Sequence, residues 1–344
     1  MDGAVDLGVF PGASFLVSLN GDVVHRSYHG HLSDVYSDEV TPDSIYDVSS
    51  LTKVIAATSA IMLLDGRDAF DVDWPVSRHV SEFKAAGKSD VRIWHLLSHR
   101  SGLPDYKPLF DSIVKGEYGT GLARDRIRRM AASEKLVSIP GAGHYYSDLG
   151  FIVLDEFFEA ETGVTLDLFC SKEIYVPLGM SKTFFSRSVK TGFRFASVTN
   201  RLTGIVDDEN CRAMGGVSGH AGLFSTVDDL HILARELLQG LKGRSKLFPA
   251  QIVKKYWTTP LSAVQGTHRL GWDTPAPVGS TAGKYFSKSS VGHLGFTGCS
   301  IWIDPAINLE VILLSNRVCP SRSNEKIKEL RPRIHDAVFD SLSL

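Results

Sequence analysis

Two β-prone apolar runs, residues 13–19 and 22–28, flank Asn20-Gly21 near the start of the chain. Asn-Gly supplies the two positive-φ positions of a type I′ turn, so the segment reads as a β-hairpin. After a polar loop, Leu51, Val54, Ile55, Ile61, Met62 and Leu64 recur with Ala56, Ala57 and Ala60 on the remaining faces, up to Asp65-Gly66. A helix that is apolar nearly all round is a buried one. From about residue 85 to 200 the apolar positions mostly follow a 3.6-residue period, broken by loops at 101–104 and 140–143. The runs 298–303 and 309–315, joined through Asp304-Pro305, predict a second hairpin, and a helix follows over 324–342.

Strands at the two ends of a chain cannot bury their apolar faces alone. The economical arrangement joins them in one antiparallel sheet flanked by the first and last helices. The expected fold is therefore α/β (α+β), with residues 1–50 and 215–344 forming the sheet-bearing domain. Residues 51–214 form an inserted helix-rich domain, and the site lies between the two. No internal repeat or low-complexity segment interrupts this reading.

The 344 residues include 43% hydrophobic and 22% charged positions, and the charges nearly cancel to −2. The chain can fill a sizeable core and has no field to attract nucleic acid or an acidic membrane. No run approaches the ~20 apolar residues of a membrane span. The acidic start, Met1 to Gly8, lacks the basic and apolar regions of a secretory signal. A cytoplasmic protein is expected from the chain as it stands, and a periplasmic or secreted one if a leader has been removed. Cys170, Cys211, Cys299 and Cys319 have no paired C-x-x-C spacing and read as reduced thiols, with one disulfide left open.

Chemistry enters at Ser50-Leu51-Thr52-Lys53, where a loop becomes the buried helix. Residues i and i+3 share a helix face. The positive end of a helix stabilises a developing alkoxide, and apolar, cationic surroundings would lower a lysine pKa until it accepts the serine proton. The plain alternative is an ordinary N-cap serine and a solvated first-turn lysine, since S-x-x-K arises often by chance.

Two further segments add weight, His144-Tyr145-Tyr146-Ser147-Asp148-Leu149-Gly150 and Gly292-His293-Leu294-Gly295-Phe296-Thr297-Gly298. Together the three resemble, in order and over nearly the whole chain, the S-x-x-K acyl-transferase superfamily of class C β-lactamases, D-alanyl-D-alanine carboxypeptidases and related esterases. The resemblance implies a β-lactamase/penicillin-binding-protein-like fold and an acyl-enzyme on Ser50. Lys53 and Tyr146 would form the base, and sequence does not choose between them. The backbone N–H groups of Ser50 and Phe296 would form the oxyanion hole, with Asp148, His293, Leu294 and Gly295 lining the substrate. Gly295 is expected to let substrate approach the strand. A rival register takes Phe296-Thr297-Gly298 as the third motif. The substrate would be a small ester, amide or β-lactam, with no cofactor and no metal.

Two departures bear on specificity. Asp148 stands where the family's simplest form has Asn, and it could pair with Lys53, raising the lysine pKa and leaving more work to Tyr146. Leu294 stands where a Thr hydroxyl usually helps bind a substrate carboxylate. Both disfavour anionic penicillins and D-Ala-D-Ala termini relative to neutral esters. The same departures keep open a catalytically silent member of the fold that binds peptidoglycan fragments or a protein. The oligomeric state is not legible.

Other candidates read as structural. His95 and His99, at i and i+4, lack the H-E-x-x-H glutamate of a zinc site. His220 lies in a Gly-rich turn that could rim the pocket. Arg124, Arg126, Arg128 and Arg129 read as a solvated helix face. Gly215-Gly216-Val217-Ser218-Gly219 has neither P-loop nor Rossmann spacing, so no nucleotide is assigned to it.

Overall fold

The computed structural model describes residues 1–35, 37–85, 87–188, 192–259 and 266–344. The opening hairpin is β1 (Gly12–Leu19) and β2 (Asp22–Gly30), turned at Asn20 (φ 58°) and Gly21 (φ 91°) as the Asn-Gly signal requires. The nucleophile segment follows β3 (Ser44–Asp47). Three short strands come next: β4 (Phe184–Phe185), β5 (Arg194–Phe195) and β6 (Leu223–Ser225). The C-terminal part holds β7 (Val291–Leu294), β8 (Ser300–Asp304) and β9 (Leu309–Ser315).

The main sheet is five-stranded and antiparallel in the order β2-β1-β9-β8-β7, so strands from both ends of the chain meet at its centre. β1 pairs with β9 in a register that sets Phe15 against Leu313 and Val17 against Val311. Alternation along these strands serves two cores. Phe15, Val17, Val311 and Leu313 pack with Trp302 beneath Val338 and Phe339 of the C-terminal helix Ile327–Leu342. Leu16, Ile301, Ile312 and Leu314 face the larger core, which includes Ile61 and Met62 of the helix Ser59–Asp65. Helices thus cover both faces of the sheet, the expected architecture.

A second sheet, β4-β6-β3-β5, was not anticipated from the sequence. Strands of two to four residues carry no readable period. Phe184, Phe195 and Phe224 hold this sheet together, with Phe195 and Phe224 edge-to-face at 5.5 Å. Its function here is positional, because β3 ends at Asp47, immediately before the S-x-x-K segment.

The arginine run departs from expectation. On the helix Gly121–Ser133, Arg124 and Arg128 are buried, whereas Arg129 is exposed. Their i, i+4 spacing faces Asp155 and Glu159, also i, i+4, on the helix Asp148–Thr162. Arg128 donates to Asp155 at 2.6 and 3.2 Å and to Glu159 at 2.6 Å, and Arg124 pairs with Glu159 at 2.8 Å. Half of that face is a buried ion cluster joining two helices. The four cysteines are buried free thiols.

Candidate active site

Asp47 anchors the turn into the site. Its carboxylate accepts the N–H of Ser49 (2.8 Å) and of Asp207 (2.7 Å), and burial pushes its pKa up to about 7. Ser49 sits at φ 51°, a left-handed conformation costing a non-glycine residue about 1 kcal/mol, and it reverses the chain so that Ser50 faces a cleft. The predicted buried helix is present with an uneven winding. Residues Ser49–Leu51 form a 3-10 turn and Lys53–Thr58 are π-wound, before regular α-helix from Ser59. Such irregular winding is frequent at functional sites.

Lys53 is fully buried, which disposes of a solvated first-turn lysine. Its Nζ donates to Ser50 Oγ (3.0 Å), Asp148 Oδ1 (2.6 Å) and the His220 carbonyl (3.2 Å). An ammonium has three N–H groups, and all three are used. Burial pushes the Lys53 pKa down, but the Asp148 carboxylate and Tyr146 outweigh it, and the net shift is upward. The lowered lysine pKa expected from apolar surroundings is therefore corrected, and the cause is the Asp148 departure. Tyr146 is half-buried and lies with its ring centre 5.0 Å from Lys53 Nζ. Burial raises the phenol pKa more than the lysine charge lowers it. The resting arrangement is thus an ammonium beside a neutral phenol.

The tyrosine segment is held from behind. Ser147 caps the helix Asp148–Thr162 by accepting the Gly150 N–H (3.1 Å), and its own N–H donates to His99 Nδ1 (2.9 Å). That bond fixes His99 as the Nε2–H tautomer. His293 Nδ1 lies 2.8 Å from the Leu294 carbonyl, so it donates there and leaves Nε2 as a bare acceptor. His99, His268 and His293 bring ring nitrogens within 4.8 Å of one another behind Tyr146. With Nδ1 accepting from Ser147, neutral His99 carries its hydrogen on Nε2 and has no lone pair there to offer a metal, and neither that atom nor His293 Nε2 has a hydrogen-bond partner among the described residues. Burial holds His268 down to about 3 and the neighbouring His144 to about 4. His95, the other half of the i, i+4 pair, is not part of the cluster. It accepts the Arg92 N–H and stacks on Trp94 at 3.6 Å.

On the opposite wall, β7 carries His293 and Leu294 to the cleft, followed by the turn 295–298. The Phe296 N–H, one of the two expected oxyanion donors, meets Ser49 Oγ at 3.2 Å. Gly295 has a different reason from the one expected. A Cβ there would lie 2.6 Å from the Val48 carbonyl, so glycine permits β7 to press against the nucleophile segment itself, and contact with substrate is not what requires it. Thr297 is buried and donates to the Asp47 carbonyl (2.7 Å), which turns the hydroxyl of the rival register away from the cleft.

The cleft measures about 690 Å³ and is lined by Ser50, Tyr146, Asp148, Leu294 and Phe296 among others. Sequence reasoning missed Asp208 and underestimated His220. Asp208 Oδ1 lies 2.9 Å from His220 Nε2, and although burial raises its pKa, His220 and the local N–H donors lower it on balance. This pair fixes the loop whose carbonyl receives Lys53. Such tertiary pairings leave no local signal.

Fold and site together define a β-lactamase-type protein, and comparison with known proteins agrees. A family model described as Beta-lactamase matches residues 1–334, and the chain belongs to that family, whose members are serine hydrolases. The chain is 30% identical to a putative D-alanyl-D-alanine carboxypeptidase of Escherichia coli O157:H7, over 91% of this chain and 80% of that protein. It is 31% identical to an N-acetylmuramyl-L-alanine amidase of Bacillus subtilis (strain 168), over 90% and 77%. Among solved structures, EstCE1, a hydrolase with promiscuous acyltransferase activity, superposes with a TM-score of 0.76 at 21% identity, covering 96% of each chain. No helix among the described residues is long and apolar enough to cross a membrane.

Proposed function

We propose that the protein hydrolyses small, neutral esters through an acyl-enzyme on Ser50, in a cleft between the sheet-bearing residues 1–50 and 215–344 and the helix-rich residues 51–214. The observation that carries this reading is Lys53 Nζ at 3.0 Å from Ser50 Oγ, with the Tyr146 ring centre 5.0 Å from the same nitrogen. Ser50 Oγ bonds to the acyl carbon while its proton passes to the Lys53–Tyr146 pair. The tetrahedral intermediate, its oxygen held by the N–H groups of Ser50 and Phe296, expels the leaving alcohol, which takes that proton. Water then repeats the sequence to release the acid.

Because the resting pair already holds both protons, it acts as a base only after losing one, and the pair titrates as a unit. Asp148 favours the protonated form. Replacing Asp148 by Asn keeps an acceptor for Lys53 and removes the charge, so the rising limb of kcat/KM against pH should move to lower pH. The rate near pH 7 should rise several-fold while the alkaline plateau changes little. A limb that stays in place would show that the pair does not control it.

The ester preference rests on Leu294, which offers no hydroxyl to a carboxylate, and on Asp148, which adds a negative charge beside Ser50. The names of the two relatives favour a second reading, cleavage of a D-alanyl or muramyl peptide. A turnover panel of nitrophenyl acetate, nitrophenyl butyrate, a chromogenic cephalosporin and a D-Ala-D-Ala peptide separates these. The esters should be turned over fastest. Turnover of the cephalosporin or the peptide orders of magnitude faster than either ester would sink the preference.

A further inference from the structure

We infer that Arg331, on the C-terminal helix, is a positioning residue that strengthens the Phe296 N–H as an oxyanion donor by acting through the peptide group between Gly295 and Phe296. The inference rests on the proposed acyl-enzyme at Ser50.

Arg331 is 6% exposed, borders the cleft, and among the described residues has no carboxylate partner. Its guanidinium spends itself on backbone instead, with Nη2 donating to the carbonyls of Gly295 (2.9 Å) and Cys299 (2.7 Å). Burying a lone cation is costly, and burial lowers its pKa to about 10. A cation retained at that cost calls for a reason beyond closing a turn, which the Gly295 N–H to Cys299 carbonyl bond (2.7 Å) and the Gly298 N–H to Gly295 carbonyl bond (3.0 Å) already accomplish.

The carbonyl of Gly295 and the N–H of Phe296 are two ends of one planar, resonance-coupled amide. A charge-assisted bond to the oxygen draws electron density from the nitrogen and makes its N–H a stronger donor. That N–H is the one on the cleft side, currently on Ser49 Oγ at 3.2 Å. Gly295 is packed so closely on the nucleophile segment that a Cβ would lie 2.6 Å from the Val48 carbonyl. Arg317 provides an internal contrast. Its Nε donates to the Phe296 carbonyl (2.7 Å), which belongs to the next amide and has no N–H in the hole.

The test acylates the full-length protein with a carbonyl-¹³C nitrophenyl trimethylacetate, whose bulky acyl group deacylates slowly, and records the infrared stretch of the bound carbonyl. Stronger oxyanion donors lower that frequency. Arg331→Met should move the band to higher frequency and reduce kcat about tenfold with KM within about twofold, below the roughly 10²- to 10³-fold lost when a donor is removed outright. Arg331→Lys, which retains a charge able to reach the Gly295 carbonyl, should recover part of the shift and serves if the Met variant does not fold. Arg317→Met should leave the band in place. An unmoved band in folded Arg331 variants, or an equal shift in Arg317→Met, would overturn the role of Arg331 and leave the Ser50 reading intact. No acyl group on Ser50 in the unmodified protein would overturn both.

Discussion

Ser50→Ala should abolish covalent labelling by a fluorophosphonate and reduce ester turnover by about 10⁴-fold or more. Intact-mass spectrometry should find one adduct on the unmodified protein and none on the variant. The reagent phosphonylates whichever serine combines nucleophilicity with an oxyanion site, so the experiment asks which hydroxyl in the whole chain meets both conditions. Ser50 is the proposed answer, since Lys53 contacts its oxygen, Tyr146 lies beside Lys53, and the Phe296 N–H is held on the adjacent Ser49 Oγ. Ser49 is the instructive competitor. It is adjacent, and its Oγ touches the same N–H, yet no base touches that hydroxyl among the described residues. Labelling that persists in Ser50→Ala would put the nucleophile elsewhere, and with it the roles of Lys53 and Tyr146. The fold should tolerate the change, because the Lys53 ammonium keeps Asp148 and the His220 carbonyl and loses one bond of about 1 kcal/mol.

The second large effect lies away from the cleft and concerns stability. Asp155→Ala should lower the unfolding free energy by about 3 kcal/mol or more, read as a fall in the urea midpoint at unchanged slope. Asp155 is buried between the helices Gly121–Ser133 and Asp148–Thr162, where it accepts two bonds from Arg128. Removing it leaves the buried Arg124 and Arg128 with Glu159 as their only carboxylate partner in the cluster. The cost is that of an uncompensated cation in a dry site, well above the 0 to ~1 kcal/mol of an exposed pair. Asp155 and Arg128 are not among the cleft-lining residues, so a destabilised variant that is still folded at low temperature should turn over esters there. A midpoint shift that, multiplied by the slope, comes to less than about 0.5 kcal/mol would mean that the cluster is solvated, as the sequence alone suggested.

The parts of the molecule legible in the sequence are those whose physics is local. Asn20-Gly21 specifies its turn by backbone sterics, the apolar run from Leu51 specifies a buried helix, and Ser50 with Lys53 lies within one turn of it. Tyr146 and His293 came from resemblance, and the structure brings both rings to one cleft with centroids 5.9 Å apart. What could not be read depends on segments distant in sequence. His99, His268 and His293 meet only because three separate loops and strands converge behind Tyr146. The upward shift of Lys53 depended on whether Asp148 would reach it, which spacing does not decide. The arginine face is a different kind of miss. Arg124 and Arg128 at i, i+4, and Asp155 and Glu159 at i, i+4, were complementary stripes visible in the sequence, and reading each helix alone hid the match.

The strand order β2-β1-β9-β8-β7 also sets a timetable. Ser50 and Lys53 lie in the first fifth of the 344 residues, whereas β7, the 295–298 turn and β9 lie in the last fifth. Until β9 docks on β1, the wall carrying His293 and Phe296 has no place in the sheet, and the Phe296 N–H has no Ser49 hydroxyl to meet. Contacts spanning about 300 residues are slow to form, so the pairing of β1 with β9, and with it the wall that carries His293 and Phe296, is a late step in folding.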